Sequence, residues 1–265
     1  MPFAVVTGAS GGIGLALCRL LAARGYGLLL VGRDATRLAA ISVELGSDTQ
    51  PFIADLEREA DVAALSTEIA NRVRLDLFVC CHGISEPDAV AKSDATALSR
   101  QISINLTASM ILMAAGVRRM IRQNTGNILC IGSQGAFGGM GDSAAYAASK
   151  FGLRGFCLSL IQELRGTGVG LTLVHPGAVD TPMLRHEAAA GGSALNFLNE
   201  RPMNAEHVAT AALKALDAGK SEIILPVWDS LSMRLVSGWP DLLHSLLPTL
   251  LRHGEKGRKR YLSRG

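Results

Sequence analysis

The stretch Thr7-Gly8-Ala9-Ser10-Gly11-Gly12-Ile13-Gly14 constrains this chain more than any other. The apolar run Phe3-Ala4-Val5-Val6 precedes it, and a helical pattern from Leu15 to Ala22 follows. Strand, glycine turn and helix in that order build a cradle for a phosphate. Glycines let the backbone turn sharply and let an anion approach with no Cβ in the way. The helix N-terminus adds free N–H groups and the positive end of its dipole. A glycine-rich loop on its own is a common turn. Its place between a strand and a helix makes Thr7, Gly8, Ser10, Gly12, Ile13 and Gly14 candidate binding residues.

The rest of the chain alternates strands and helices. Leu28-Leu29-Leu30-Val31 reads as a strand buried on both faces, ending at Gly32-Arg33-Asp34. In a dinucleotide-binding unit that strand end meets the adenosine ribose. An acid there would repel a 2′-phosphate, whereas the guanidinium of Arg33 suits one. Arg33 therefore points to NADP, with NAD as the alternative cofactor if it is only a solvated turn residue. Asp34 reads as the cap of a helix over 35–46. Phe52-Ile53-Ala54 is a short strand closed by Asp55-Leu56, where Asp55 either bonds an adenine amine or starts the helix over 58–73.

Leu75 to Cys81 is the fourth strand, and His82-Gly83 begins its loop. Residues 96–123 form one long helical pattern, with Ile102, Leu106, Met110, Met113 and Val117 at spacings of three or four. Asn127 to Ile131 is a strand ending at Gly132-Ser133, followed by a helix over 143–165 that carries Tyr146 and Lys150. Val169 to Val174 is a strand ending at His175-Pro176-Gly177. A helix over 205–218 leads to the last strand, Glu222-Ile223-Ile224-Leu225. This alternation predicts an α/β fold, a doubly wound parallel sheet of about seven strands with helices on both faces. One domain accounts for residues 1–225.

Composition narrows the class. A 48% hydrophobic, 18% charged chain can bury a substantial core and is not disordered. The net charge of +3 implies no nucleic-acid partner, because the excess sits in Arg252, Lys256, Arg258, Lys259, Arg260 and Arg264. The five cysteines lie in apolar runs with no zinc spacing, and no metal site is expected. The odd count and the absence of a targeting segment predict a cytoplasmic protein. No uninterrupted apolar run of about 18 residues predicts a membrane span.

Tyr146 and Lys150 stand four apart on a helix and share a face. A nearby ammonium stabilises tyrosinate, which makes the phenol usable as an acid or base near neutral pH. Ser133 lies at a strand's C-terminal end, where open α/β sheets bind ligands, and can donate to a carbonyl oxygen beside the tyrosine. Singly, each is unremarkable. Together, Thr7-Gly8-x-x-x-Gly12-x-Gly14, Asn105, Ser133, Tyr146-x-x-x-Lys150 and Pro176-Gly177 resemble the short-chain dehydrogenase/reductase family. The resemblance runs in order from residue 3 to about residue 225, with Ser133 thirteen positions before Tyr146.

The resemblance implies a Rossmann-type domain and reversible hydride transfer between a nicotinamide cofactor and a carbonyl/alcohol pair. It assigns Tyr146 as general acid, Ser133 as the group that polarises the carbonyl, and Lys150 to the nicotinamide ribose. It gives Asn105 a water that relays protons from Lys150. Gly83, Pro176, Gly177 and Thr181 fall in the cofactor set, Thr181 at the nicotinamide amide. It also implies a homodimer or homotetramer through the helices at 96–123 and 143–165. The chain departs from the family at Cys80-Cys81-His82-Gly83, where the family has Asn-Asn-Ala-Gly. The usual asparagine ties the central strands and lines the adenosine site, bonds a cysteine cannot reproduce.

Residues 182–204 read as a lid over an apolar pocket, with Met183, Leu184, Leu195, Phe197, Leu198 and Met203 facing an apolar or acyl-type ketone and Gly191-Gly192 as a hinge. Residues 226–265 form an extension whose stripe is Leu235, Trp239, Leu242, Leu243, Leu246, Leu247 and Leu250, followed by the basic cluster. Three readings stand open for it: packing on its own domain or a partner subunit, contact with an anionic membrane surface, or fraying. Two other functions compete with the oxidoreductase. A cofactor-sensing regulator would have no chemical need for the Asn105, Ser133, Tyr146 and Lys150 set. A nucleotide-sugar epimerase or dehydratase needs a different glycine spacing and more chain for its substrate.

Overall fold

Phe3–Thr7 (β1), Gly27–Gly32 (β2), Thr49–Ile53 (β3), Leu77–Cys80 (β4), Gly126–Ile131 (β5), Val169–Pro176 (β6) and Glu222–Leu225 (β7) form one sheet. Its order is β3-β2-β1-β4-β5-β6-β7, with every pairing parallel. The computed structural model describes residues 1–198, 201–229, 234, 235, 238 and 240–263. Trp239 and Arg264, noted above in the apolar stripe and the basic cluster, lie outside these residues.

The strands are apolar along their length because both faces are covered. Val5, Leu29, Val31, Phe78, Ile128 and Cys130 face one core. Ala4, Val6, Leu28, Leu30, Leu77, Val79 and Leu129 face the other. On the first side lie Glu59–Asn71 (α3), Ser109–Gln123 (α5) and Ala144–Glu163 (α6); on the second lie Gly12–Ala23 (α1), Ala35–Leu45 (α2) and Ala205–Asp217 (α8). Each fully buried leucine contributes about 2 kcal/mol relative to exposure. Asp34 caps α2 by accepting from Arg37 N–H at 2.9 Å.

The order of the sheet reverses between β1 and β4, which places a crevice at the C-terminal ends of those strands. The register sets Val6 between Leu30 and Val79, so Thr7, Gly32 and Cys80 reach that edge together.

The long helix expected over 96–123 is three segments. Ala95–Ile102 (α4) passes into a π-helix, Ser103–Ala108, before α5 begins. The extra residue of the wide turn shifts the phase. The buried residues of α5 are Ser109, Leu112, Met113, Ala115, Gly116 and Met120; of the predicted stripe Met113 is buried, and Leu106 and Val117 are half-buried against the same core. This stretch is apolar and long enough to cross a membrane by composition, yet over half of its most apolar window is buried in the fold.

Residues 182–204 are also more structured than a plain lid. Pro182–Ala189 is a helix (α7), and Ala194–Phe197 is a single 3-10 turn. Leu184, Ala188 and Phe197 form a small core of their own, so these side chains do not line an open pocket as expected. Glu187 is buried among them, its carboxyl pushed up by desolvation.

Candidate active site

The glycine loop closes on itself and on β4. Gly8 has φ +67°, and a Cβ there would stand 2.8 Å from Cys81 O and 2.9 Å from His82 Cα. A Cβ on Gly14 would overlap Gly8 O, and one on Gly12 would meet Thr181 Cγ2 at 2.6 Å. Gly11 precedes α1 without a side-chain cap, so the first-turn N–H groups are left for another acceptor. These residues fit a dinucleotide pyrophosphate: the backbone is bare where the ligand must approach, and the donors are unspent. Ser10 Oγ lies 3.4 Å from a Cβ position on Gly32, beside the end of β2. Arg33, exposed just beyond, makes no ion pair among the described residues. Asp55 accepts from Glu57 N–H at 3.2 Å, so it shapes its own turn while Arg58 precedes α3; Leu56 is buried next to it.

On the other side of the crevice, Ser133 follows β5, caps the next 3-10 turn and accepts from Gly135 N–H at 3.0 Å. A hydroxyl that accepts from the backbone still has its own proton to give. Ser133 and Tyr146 both approach Gly135: a Cβ there would stand 3.3 Å from Ser133 Oγ and 3.4 Å from the Tyr146 ring carbon Cε1. Lys150, one turn along α6, is buried, with Nζ 5.6 Å from the Tyr146 ring centre. Neither the Tyr146 hydroxyl nor the Lys150 ammonium has a hydrogen-bond partner among the described residues. The lysine stem is buried while its ammonium is committed to no hydrogen bond or ion pair among the described residues, which leaves it available to a ligand.

Asn105 sits in the π-helix, fully buried. Its amide clamps the loop after β4, with Oδ1 accepting from Ile84 N–H at 2.8 Å and Nδ2 donating to Ile84 O at 2.9 Å and Ser149 Oγ at 3.1 Å. A Cβ on Gly83 would lie 3.3 Å from Asn105 Oδ1 and 3.6 Å from Lys150 Nζ. Gly83, Asn105 and Lys150 thus meet at one point. Pro176 ends β6, Gly177 N–H bonds Leu225 O at 2.8 Å, and the Thr181 hydroxyl caps α7 while its methyl faces Gly12.

Two supports have partners that the sequence does not show. The first is His82. Its Nε2 lies 3.1 Å from Ile104 O, which only accepts, so that nitrogen carries the proton. The same N–H reaches Ser109 Oγ at 3.1 Å, and Ser109 donates onward to Asn105 O at 2.9 Å. Nδ1 lies 2.8 Å from the Thr7 hydroxyl, which accepts from Cys81 N–H at 3.1 Å and has Val79 O, also at 3.1 Å, as the other candidate for its one proton. His82 joins β1, the loop after β4 and the π-helix. It stands at the alanine position of the usual Asn-Asn-Ala-Gly and supplies the tie that Cys80 cannot.

The second support lies behind Ser133. Its main-chain O is 3.0 Å from His175 Nδ1, and His175 Nε2 is 3.0 Å from Glu222 Oε1. Arg154 pairs with Glu222 at 2.7 Å and lies over Phe137, whose ring meets His175 edge-on. His175, and then Arg154, hold the Glu222 carboxyl down at about 2 against an ordinary 4.5, overcoming the opposing effect of burial. A buried histidine before Pro-Gly was the one available signal. Nothing in the sequence announces a partner 47 positions away.

Comparison with known proteins agrees with this geometry. The family model for short chain dehydrogenase matches residues 2–191. The 3-oxoacyl-[acyl-carrier-protein] reductase of Bos taurus is 33% identical over 181 residues, 68% of this chain and 76% of that protein. A short-chain dehydrogenase from Sphingobium yanoikuyae in complex with NADPH superposes with a TM-score of 0.81 at 28% identity, covering 92% of this chain and 96% of that one. The bulky-bulky ketone specific alcohol dehydrogenase from Comamonas testosteroni gives a TM-score of 0.79 at 25% identity, with coverages of 92% and 94%. The chain belongs to the short-chain dehydrogenase/reductase family and is an oxidoreductase of that class.

Two variants test the supports. His82→Ala leaves Thr7, Ile104 and Ser109 short of partners in a dry site, so urea unfolding should show a loss of roughly 2–4 kcal/mol; an unmoved midpoint would remove His82 from the tie. Glu222 has a folded-state pKa below its unfolded one. Its ionised form therefore contributes stability that is complete above about pH 4.5 and is lost as the pH falls towards about 2. Glu222→Gln should lower stability at neutral pH and flatten the acid limb over that window, read by urea midpoints on either side of it.

Proposed function

We propose that the chain is an NADP-preferring reductase that interconverts a ketone and a secondary alcohol, acting on an apolar or acyl-type carbonyl. The observation that carries this reading is the convergence of Ser133 and Tyr146 on the space at Gly135, one helical turn from the unpartnered Lys150. Thr7, Gly8, Ser10, Gly12, Ile13 and Gly14 would hold the pyrophosphate, Arg33 the 2′-phosphate, and Asp55 and Leu56 the adenine side. Gly83, Lys150, Pro176, Gly177 and Thr181 would hold the nicotinamide half. The bound nicotinamide supplies the hydride in reduction and accepts it in oxidation.

The chain's own groups handle the oxygen. Ser133 donates its free proton to the carbonyl oxygen and fixes its direction. Tyr146 gives that oxygen the proton it needs to become a hydroxyl, so negative charge is met as it develops. The Lys150 ammonium stabilises the tyrosinate that remains. Asn105 holds the Ile84 loop and Ser149, which keeps Lys150 and Gly83 in register. The acyl-carrier-protein reductase relatives and the bulky-ketone neighbour support the substrate class, and the NADPH-bound neighbour supports the cofactor. Exposed Ile111 and Ile121 on α5 and Phe151 on α6 offer an apolar face for a homodimer or homotetramer. Arg252, Lys256 and Lys259 are exposed on the C-terminal helix, and an anionic membrane surface would suit them.

Tyr146→Phe should lower turnover of hydrophobic ketones by about 10²–10⁴-fold while NADPH still binds, measured by NADPH oxidation against a carbonyl panel. Tight NADPH binding with no turnover by the wild-type protein on any carbonyl would favour the sensor instead. Arg33→Asp removes a charge-assisted contact and adds repulsion, so the ratio of kcat/KM with NADPH to that with NADH should fall by roughly 10–100-fold. An unchanged ratio would take Arg33 out of the phosphate site.

A further inference from the structure

The C-terminal helix, Pro240–Leu262 (α9), lies on the segment between β6 and α8. Two glycines make the contact. A Cβ on Gly254 would overlap Ala194 O, and one on Gly257 would overlap Phe197 O, so helix and 3-10 turn touch backbone to backbone. At spacing i, i+3 the two share a face. Arg258 Nη1 donates to Gly192 O at 3.3 Å. The Tyr261 ring packs on Phe197 at 5.5 Å, and its hydroxyl donates to Asp180 Oδ1 at 2.8 Å. Asp180 is in turn bound to Met203 through the backbone and precedes Thr181, whose methyl faces Gly12 of the cofactor loop.

The clasped segment crosses the site. It starts at the end of β6, and a Cβ on Gly192 would lie 3.3 Å from Pro87 Cβ, in the loop after β4. Between β6 and β4 in the sheet stands β5, whose C-terminal end leads into Ser133. The segment therefore roofs the reacting end of β5, and the roof is held from outside by α9. The opposite face of the helix, with Arg252, Lys256 and Lys259, is exposed.

We propose that α9 is a positioning element for substrate specificity: its Gly254–Gly257 seam holds the 192–197 segment at one height over the end of β5 and so sets the size of carbonyl substrate admitted. This rests on the carbonyl-reductase reading of the site. Loosening the seam lets the roof rise and admits bulkier ketones, while the cofactor loop, anchored through α1 and β1, keeps its grip.

The test uses the full-length chain. Gly257→Ala places a methyl against Phe197 O; Tyr261→Phe removes the bond to Asp180 with almost no change of shape. Chymotryptic cleavage after Phe197, a residue buried at 3% exposure under the seam, reports on the roof without any turnover. We expect Gly257→Ala to speed that cleavage at least tenfold and Tyr261→Phe to speed it severalfold. NADPH Kd, read by nicotinamide fluorescence, should stay within threefold for Gly257→Ala. The kcat/KM ratio of a bulky to a small ketone should rise at least fivefold in the same variant. Unchanged cleavage in both variants would overturn the clasp. Faster cleavage with an unchanged bulky-to-small ratio would overturn its part in specificity. A wild-type protein inactive on every carbonyl would instead defeat the reductase reading on which the proposal stands.

Discussion

Three groups stand within hydrogen-bond distance of one hydroxyl oxygen, that of Thr7, and the alignment of the binding edge follows from them. Val79 O, Cys81 N–H and His82 Nδ1 all meet that oxygen, so β1 and β4 end at a fixed offset. The offset is what lets Gly8 turn within 3 Å of the Cys81 carbonyl. Any error in it would close the crevice or open a gap beneath a pyrophosphate. Because Thr7 and His82 are buried, a contact left unmade here would be expensive. A structure that spends a buried histidine here is fixing geometry at the place where geometry is least forgiving.

The two halves of the proposed chemistry are supported in the same way from opposite sides. Ser133 is held through its main chain by His175 and, behind it, by Glu222 with Arg154. Lys150 is held through its neighbour Ser149, by Asn105 and, behind it, by Ser109 and His82. The reacting side chains themselves are left with unspent hydrogen-bonding capacity. Fixed frames with free tips are what a preorganised site requires, since the protein then has nothing to rearrange as charge develops.

How much of this could be read in advance depends on the range of the interaction. Strands appear as unbroken apolar runs because both of their faces are covered, and the glycine cradle shows because bare backbone leaves a mark in the sequence. Ser133, Tyr146 and Lys150 announce themselves by spacing along a strand end and a helix. His82 and the His175–Glu222 pair do not, because their partners are set by tertiary approach between distant segments. The C-terminal helix shows a second limit: its closest approach is made by Gly254 and Gly257, residues that weaken a helix on its own and that no apolar pattern singles out. Leu184 and Phe197 read as pocket lining in the sequence because an apolar side chain does not say which core it serves.

The π-helix at Ser103–Ala108 acts as a phase shifter between two helices that must each meet a different neighbour. One residue in an α-helix is worth a rotation of about 100°. The six residues of the wide turn thus let α4 keep its own contacts while Asn105 looks at Ile84 and α5 presents Leu112 and Met113 to the sheet. A chain that lost one residue here could close the turn into regular α-helix without unfolding either flank. Its hydrophobic content would be unchanged, yet the amide would point away from the loop it holds. In this region, length is as much a functional specification as identity.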